Sequence, residues 1–256
     1  MSQSIIYEEY MNEMISVIMP VYNGADYLPY ALKSVDVQGY DNLEIIVVDD
    51  GSTDETAEIS RSHPRVCYHY QDNRGIAEAM NKGLQLARGE LITFLDADDW
   101  WSDNKLILQL GLLQGSSAQI VAGYVQPLKF ADASKKRTFT PIKDPYSLLN
   151  LGSALFCASV FKEIGHFNSD FNILSDWDWF LRAREAALEI LIHPEVVLYY
   201  LLHDGNITRQ RTVLQHDLMR LFKKTLDRRR DAGLPGPLPR LSDFLKQSGH
   251  LIHDFE

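Results

Sequence analysis

Short apolar runs alternate with stretches of helical character along the first hundred residues of the chain. The clearest runs cover residues 14–20, 43–48 and 91–95, and each is dominated by large apolar side chains. Runs of this kind are typical of strands that are buried on both faces of a parallel sheet. The hydrophobic pattern therefore predicts an α/β fold with a mostly parallel sheet flanked by helices.

Polar residues follow each of these runs at the point where the predicted strand ends. Tyr22 follows the first run, Asp50 follows the second, and Asp96, Asp98 and Asp99 follow the third. Because the carboxyl ends of parallel strands meet at one edge of the sheet, where ligands bind in such folds, we expect these side chains to converge. Residues 96 and 98 alternate with one residue between them, so they should point to the same side of the strand end.

Three carboxylates within four positions repel one another unless a cation offsets the repulsion. Hard divalent cations prefer oxygen ligands, and Mg²⁺ is commonly held by one or two carboxylates together with substrate phosphates. The acidic cluster therefore predicts a metal–phosphate site. An acidic surface turn is the alternative interpretation.

Helix signals occupy two of the intervening segments. Ser52 and Glu55 form a capping-box pattern that predicts a helix ending before Pro64. Ser102 is the expected N-cap of a helix over residues 103–114.

The second half of the chain has a less regular pattern. Residues 126–150 contain three prolines and predict an antiparallel hairpin or loops. We expect a core strand at 155–158, a short helix at 160–164, and two late strands at 189–192 and 196–200.

Two further helices are predicted towards the C-terminus. Ser175 is the expected N-cap of a helix that begins with Asp176. Apolar residues over 213–230 follow a helical period and are surrounded by basic residues. Such a helix either contacts an anionic membrane or packs on the protein with a solvated basic face. Residues 233–239 predict a linker before a last short helix.

Composition narrows the class of protein. A chain of 256 residues with 45% hydrophobic residues can bury the core of one α/β domain, and a net charge of −10 argues against a nucleic-acid partner. We expect Cys67 and Cys157 to be buried thiols in a reducing compartment. Residues 1–13 lack a signal-peptide pattern and no apolar stretch is long enough to span a bilayer, so we expect a cytoplasmic protein. Peripheral contact with the inner face of the membrane, through the basic helix, is the option left open.

Five blocks in series resemble the family 2 glycosyltransferases of the GT-A fold. The resemblance extends over about residues 14–110 and continues more weakly to about residue 210. It implies a Rossmann-like GT-A sheet with a C-terminal helical extension. The blocks are 16–23, 47–54, 73–75 with 81–83, 87–90 and 94–99. The implied division is an N-terminal extension (1–13), a glycosyltransferase domain (14–210) with a nucleotide-sugar half (14–115) and an acceptor-side half (116–210), and a helical segment (211–256).

The resemblance implies a nucleotide-sugar donor, expected to be a UDP-sugar, and it assigns residues to the nucleotide. Pro20 and Tyr22 are expected to pack against uracil, and Asp50 to accept its ring N–H. Arg74 is expected at a phosphate and Asp96 at the ribose.

The same resemblance assigns a metal site for Mn²⁺ or Mg²⁺. Asp98 is the expected metal ligand, and it is also expected to belong to the donor-nucleotide site. Asp99 is its substitute. His203 resembles a late family histidine that contacts the metal or the diphosphate. The arginine that commonly stands two residues before this histidine is Leu201 here. The remaining candidates for the diphosphate contact are Arg209 and Arg211.

Asp176 and Asp178 are the candidates for a general base. The segment is similar to a short acidic family motif at the start of a helix, and its trailing Arg182 aligns Asp176 with the base. Ser175 stands where family members commonly have glutamate. The implied reaction is inverting transfer of a sugar to an acceptor hydroxyl, in glycan or polysaccharide biosynthesis.

Two other functions fit parts of the pattern. Residues 94–98 also resemble the strand-end motif of aspartyl-phosphate phosphatases, in which Asp96 would be the nucleophile. A nucleotide-sugar binding module without catalysis is the second alternative. The sequence identifies neither the sugar nor the acceptor, which is a glycan, a lipid-linked intermediate, a peptide or a small molecule.

Overall fold

The structure is a computed structural model that describes residues 13–131, 138–147, 150–206 and 211–233. The strands are β1 (Ile15–Val21), β2 (Leu43–Asp50), β3 (Val66–Gln71), β4 (Leu91–Phe94), β5 (Trp100–Trp101), β6 (Ile120–Phe130), β7 (Phe139–Pro141), β8 (Ala154–Cys157) and β9 (Ile190–Leu201). The helices are α1 (Leu28–Asp36), α2 (Thr56–Ser62), α3 (Ile76–Leu86), α4 (Lys105–Gln114), α5 (Ser159–Ile164), α6 (Ser175–Glu185) and α7 (Arg211–Asp231), with a 3-10 turn at Leu151–Ser153.

The described strands form one sheet in the order β3-β2-β1-β4-β8-β6-β9-β5, with β7 paired to β6. Strands β3, β2, β1 and β4 are parallel, while β8 is antiparallel to both of its neighbours. The predicted mostly parallel sheet is therefore confirmed. Because β1, β2 and β4 run in the same direction, their carboxyl ends lie at one edge.

Helices cover both faces of the sheet and form two apolar cores. Val17 faces a core that includes Leu28 of α1 and Leu106 of α4. Its neighbour Ile18 faces the second core, which includes Trp179 of α6. Burial on both faces explains why the parallel strands are continuous apolar runs.

Most predicted elements are present with small shifts in their ends. The hairpin expected within 126–150 is formed by β6 and β7, which pair antiparallel. The prediction of two late strands is wrong in one respect, because residues 190–201 form a single strand. The register of this strand against β6 shifts near Tyr124. Cys67 is exposed and Cys157 is half-buried, so the expectation of two buried thiols is also wrong.

The capping box predicted at Ser52 is wrong. Helix α2 begins at Thr56, and Glu55 makes no side-chain cap. The Ser52 hydroxyl instead accepts a hydrogen bond from the backbone N–H of Asn23 at 2.8 Å. Asp54 takes the capping role, since its carboxylate accepts from the Thr56 N–H at 3.1 Å.

The other two predicted serine caps are also replaced. Ser102 lies before α4 and its backbone carbonyl, rather than its hydroxyl, accepts from Lys105. Ser175 lies inside α6, where its hydroxyl is buried with no hydrogen-bond partner among the described residues. The N–H groups that precede α6 donate instead to Asp217, which belongs to α7. A distant side chain therefore takes over the start of α6, whereas groups close in sequence accept from the first residues of α2 and α4.

Helix α7 confirms the amphipathic helix predicted over 213–230 and packs against the segment that leads into α6. Its Leu221 is buried in a small cluster with Phe171 and Leu174. None of the described helices combines the length and the apolar character needed to cross a membrane. The predicted N-terminal extension is outside the described residues except for Glu13, and so are the linker after Gly233 and the last short helix.

Candidate active site

The polar residues that follow β1, β2 and β4 lie at the shared edge of the sheet. In the register of the parallel strands, Ile18 pairs with Ile46 of β2 and with Phe94 of β4. The chain therefore leaves all three strands on the same side of the sheet, as the sequence predicted. Tyr22, with 57% of its surface exposed, stands at this edge.

A tight turn gathers the acidic cluster. The Asp99 N–H donates to the Asp96 carbonyl at 3.1 Å, and one carboxylate oxygen from each of Asp96, Asp98 and Asp99 lies within 4.8 Å of the others. The predicted reason for their convergence is corrected here, because β4 ends at Phe94 and a turn, rather than strand alternation, brings the side chains together. The convergence itself is as expected.

Residues from the far end of β9 complete the cluster. His203 Nε2 lies 2.9 Å from the Asp98 carboxylate, and Asn206 Nδ2 donates to the same oxygen at 3.3 Å. The Leu201 N–H donates to Asp99 at 2.9 Å. The segment that follows β9 therefore contacts the acidic turn, although His203 lies 105 positions from Asp98 in the sequence.

The imidazole of His203 is oriented by contacts on two sides. Its Nδ1 accepts a hydrogen bond from the Gly205 N–H at 3.1 Å, which assigns the proton of the neutral ring to Nε2. The ring of Tyr27 stacks on it, with centroids 4.8 Å apart and planes at 27°. Ligation of a cation through Nε2 would therefore require this nitrogen to release its proton.

Burial and mutual repulsion make the cluster electrostatically strained. Burial, followed by the charges of Asp98 and Asp176, raises the pKa of Asp96 to about 7. Burial, followed by Asp98 and Asp96, raises the pKa of Asp99 well above its usual value. A divalent cation would relieve this repulsion, and carboxylate oxygens with an imidazole nitrogen suit Mn²⁺ or Mg²⁺. The residues present fit the predicted metal.

The two base candidates have different surroundings. Asp176 lies near enough to Asp96 for its charge to raise the pKa of that carboxyl. Burial raises the pKa of Asp176 itself to about 7. The backbone N–H of Trp177, which donates to Asp176 at 2.8 Å, acts in the opposite direction and lowers this pKa. Asp176 is thus a half-buried carboxylate with a raised pKa beside the cluster, and its role as a general base stays a prediction.

Asp178 does not share this position, and its assignment is corrected. Only 1% of its side chain is exposed, and its two oxygens bond to Arg182 at 3.0 Å and to Arg228 at 2.8 Å. The two guanidinium groups therefore occupy both carboxylate oxygens. Asp178 therefore joins α6 to α7, and Asp176 remains the candidate base.

Asp50 orders the loop after β3. Its carboxylate accepts from Gln71 Nε2, from the Arg74 N–H and from the Gly75 N–H, each at 2.8 Å. Asp50 is only 4% exposed, and both of its carboxylate oxygens are already bonded to this loop. Its contact with a uracil N–H stays a prediction, and one of these oxygens would have to accept that additional bond. The Arg74 side chain is exposed beside it.

The loops after β1 and β2 are joined by hydrogen bonds at this shared edge of the sheet. Asn23 Oδ1 accepts from the Thr53 N–H at 2.8 Å, and Gly24 donates to Thr56 Oγ1 at 2.9 Å. Pro20 is buried inside β1 instead of following it, which corrects its expected position, and the packing of Pro20 and Tyr22 against uracil stays a prediction.

Two residues of the site have no role in the sequence-based assignment. Asn206 bonds to Asp98, and Tyr27 stacks on His203. The only signal for Asn206 is that it stands among turn-forming residues close behind His203, and Tyr27 has no signal of its own. Arg209 and the Arg211 side chain, the alternatives for the diphosphate contact, are outside the described residues.

Comparisons with known proteins identify the family of the chain. The family model described as "Glycosyl transferase family 2" matches residues 16–162, which is more than half of the chain. The chain is 30% identical over 265 residues to the uncharacterized glycosyltransferase RP339 of Rickettsia prowazekii, covering 93% of this chain and 81% of that protein. It is 32% identical over 211 residues to the uncharacterized glycosyltransferase RT0329 of Rickettsia typhi, covering 76% of this chain and 66% of that protein.

Solved structures show the same fold. The mannosyltransferase PcManGT of Pyrobaculum calidifontis, solved with GDP-Man and Mn²⁺, matches with a TM-score of 0.67 and 21% identity, covering 89% of this chain and 66% of that one. Residues 1–349 of S. aureus TarS, solved with UDP-GlcNAc, match with a TM-score of 0.64 and 20% identity, covering 77% of this chain and 61% of that one. The GT-A fold is confirmed, and glycosyl transfer is favoured over the phosphatase. The chain belongs to glycosyl transferase family 2.

Proposed function

We propose that this chain is a metal-dependent, inverting glycosyltransferase that moves a sugar from a UDP-sugar to an acceptor hydroxyl. One observation carries the proposal. The carboxylates of Asp96, Asp98 and Asp99 lie within 4.8 Å of one another, His203 contacts Asp98 from the segment after β9, and Asp176 stands close enough to raise the pKa of Asp96. A cation site and a carboxylate base are therefore adjacent at the edge where donors bind in α/β folds.

In the proposed reaction, Asp176 takes the proton of the acceptor hydroxyl. The acceptor oxygen forms a bond to the anomeric carbon while the bond from that carbon to the β-phosphate oxygen breaks. The leaving UDP takes the electron pair of that bond. Attack from the face opposite UDP gives inversion.

Asp98, Asp99 and His203 would hold Mn²⁺ or Mg²⁺. A bound cation supplies Lewis-acid stabilisation of the charge that develops on the diphosphate. Asp96 is proposed to bind the ribose, while Tyr22 offers an exposed ring to the base.

The acceptor that we propose is a hydroxyl of a glycan or of a lipid-linked intermediate. Neighbours of known structure were solved with UDP-GlcNAc or with GDP-Man, so nucleotide sugars are the class of donor that this fold accommodates. We also propose that residues 14–115 hold the donor and 116–210 the acceptor, with 1–13 and 211–256 as flanking segments. The site of action that we propose is the cytoplasmic face of a membrane.

A thermal-shift experiment tests donor and metal together, because a ligand that binds only the native state raises Tm. UDP with Mn²⁺ at about 100 times its Kd should stabilise the chain by about 2.7 kcal/mol. This corresponds to a rise in Tm of about 5–10 °C for a chain of this size. GDP should give a smaller shift, and EDTA should remove most of the UDP shift. Equal shifts with and without the metal would contradict the proposal.

A further inference from the structure

The outer face of α7 carries an apolar stripe. Met219, Phe222 and Leu226 are 73%, 62% and 66% exposed. Their spacing of three and four residues places them on one face of the helix. The opposite face is buried, with Asp217 and Leu221 at 0% and 3% exposure. Helix α7 therefore buries one face against α6 and presents large apolar side chains on the other.

Charged residues beside the stripe are all basic. The positions three or four residues from a member of the stripe are its neighbours on a helix surface. The charged residues at those positions are Lys223, Arg229 and Arg230. Arg230 also pairs with Asp227 at 3.1 Å and with Asp231 at 3.5 Å, and both of these acidic residues lie further round the helix. This sign is the reverse of that of the whole chain, whose net charge is −10.

We propose that the outer face of α7 is a docking surface for an anionic lipid bilayer. Apolar side chains bordered by Lys and Arg on an exposed helix face suit the boundary between lipid headgroups and acyl chains. A second copy of the chain fits less well, because pairing the stripe with itself would bring basic borders together. Docking of α7 rests on the proposed function in one respect, which is that it would bring the chain to a lipid-linked acceptor.

The docking surface is joined rigidly to the candidate base. On the buried face of α7, the Asp217 carboxylate accepts hydrogen bonds from the N–H groups of Asn172 and Ile173 at 2.8 and 2.7 Å. About three turns further along the helix, Arg228 bonds to Asp178 of α6 at 2.8 Å. These contacts lie on both sides of Asp176 in the sequence. A bilayer that holds α7 would therefore fix the position of the base relative to the lipid surface.

Vesicle co-sedimentation of the full chain tests the proposal. The chain should bind vesicles made of an equal mixture of phosphatidylcholine and phosphatidylglycerol, and should bind pure phosphatidylcholine much more weakly. The triple variant Met219→Ser, Phe222→Ser, Leu226→Ser should lose about tenfold or more of this binding. Lys223→Gln with Arg229→Gln should also weaken it and reduce its dependence on salt. The three residues of the stripe and Lys223 are exposed, so replacing them should keep the fold.

The matched control is Ile107→Ser, which removes an apolar side chain that is 41% exposed on α4. It should bind the anionic vesicles as the wild type does. Equal binding by the triple variant and the wild type, or no binding by either, would overturn the proposal. A wild-type dimer in light scattering that the triple variant splits would overturn it in favour of a second copy. The UDP and Mn²⁺ thermal shift of the triple variant reports the proposed function separately, because no lipid is present.

Discussion

Asp217 is expected to hold the catalytic segment in place, and its replacement tests that link between α7 and α6. The carboxylate is fully buried, and one oxygen accepts from the N–H groups of Asn172, Ile173 and Leu174 at 2.8, 2.7 and 3.3 Å. The charge lies where α6 begins, which is the end of a helix that favours an anion. Its other oxygen has no partner among the described residues.

The geometry gives a graded expectation for two variants. Asp217→Asn can keep the accepting oxygen but loses the charge. Each of the two short hydrogen bonds then contributes about 1 kcal/mol less, which is the difference between a charged and a neutral acceptor. We expect a loss of about 2 kcal/mol in the free energy of unfolding. Asp217→Ala leaves the two part-buried donors of the short bonds without their acceptor, at about 1–3 kcal/mol each, and we expect a loss of about 3–5 kcal/mol.

Urea unfolding measures both losses, and sugar transfer by the folded Asp217→Asn variant should fall because the segment before Asp176 is less well held. The matched control is Asp227→Asn, whose partner Arg230 is at the surface at 3.1 Å. A surface ion pair of this kind contributes about 1 kcal/mol or less. If Asp217→Ala unfolded at the same urea concentration as Asp227→Asn, the role assigned to Asp217 would be refuted.

Three further outcomes are expected. Asp176→Asn should bind UDP with Mn²⁺ as the wild type does and lose about 10²–10⁴ in the rate of transfer, measured with a UDP-release assay, whereas a fully active variant would remove Asp176 as the base. Since burial raises the pKa of Asp176 to about 7, the base is protonated below that pH, and kcat/KM should rise with pH up to about 7 and then level off; a profile that is flat from pH 5 to 8 would contradict this. Burial lowers the pKa of Lys105 well below its usual 10.5, so the unfolded chain binds a proton that the folded chain does not, and wild-type stability should rise with pH towards 10.5. Lys105→Met removes that proton uptake, so its stability relative to the wild type should be greatest near pH 7 and should fall towards pH 10.5 in urea titrations; a difference that does not change with pH would count against a neutral amine.

The parts of the site that follow from sequence are those fixed by the sheet. The apolar runs of β1, β2 and β4 identify buried parallel strands, and parallel strands share one carboxyl edge. Tyr22, Asp50 and the acidic cluster are therefore placed together by strand direction alone. The acidic motif at the start of α6 likewise indicates Asp176.

The parts that could not be predicted depend on contacts between residues far apart in sequence. Asp178 has the same residue type and nearly the same position as Asp176, and only the approach of Arg228 from α7 distinguishes the two. Ser52 and Ser175 fit local capping patterns, but the Ser52 hydroxyl accepts from Asn23 of another loop, and the N–H groups before α6 donate to Asp217. Capping patterns describe an isolated helix, and packing decides which acceptor reaches its N–H groups.

The most direct test of the account is calorimetric titration of UDP into the full chain with and without Mn²⁺, for the wild type, Asp98→Asn and Asp103→Asn. Asp103 is an exposed carboxylate outside the cluster and serves as the control. The account predicts that Mn²⁺ strengthens UDP binding to the wild type and to Asp103→Asn, and that Asp98→Asn loses this effect. Mn²⁺-dependent binding of UDP to Asp98→Asn with the wild-type Kd would contradict the central claim that the acidic turn holds the metal.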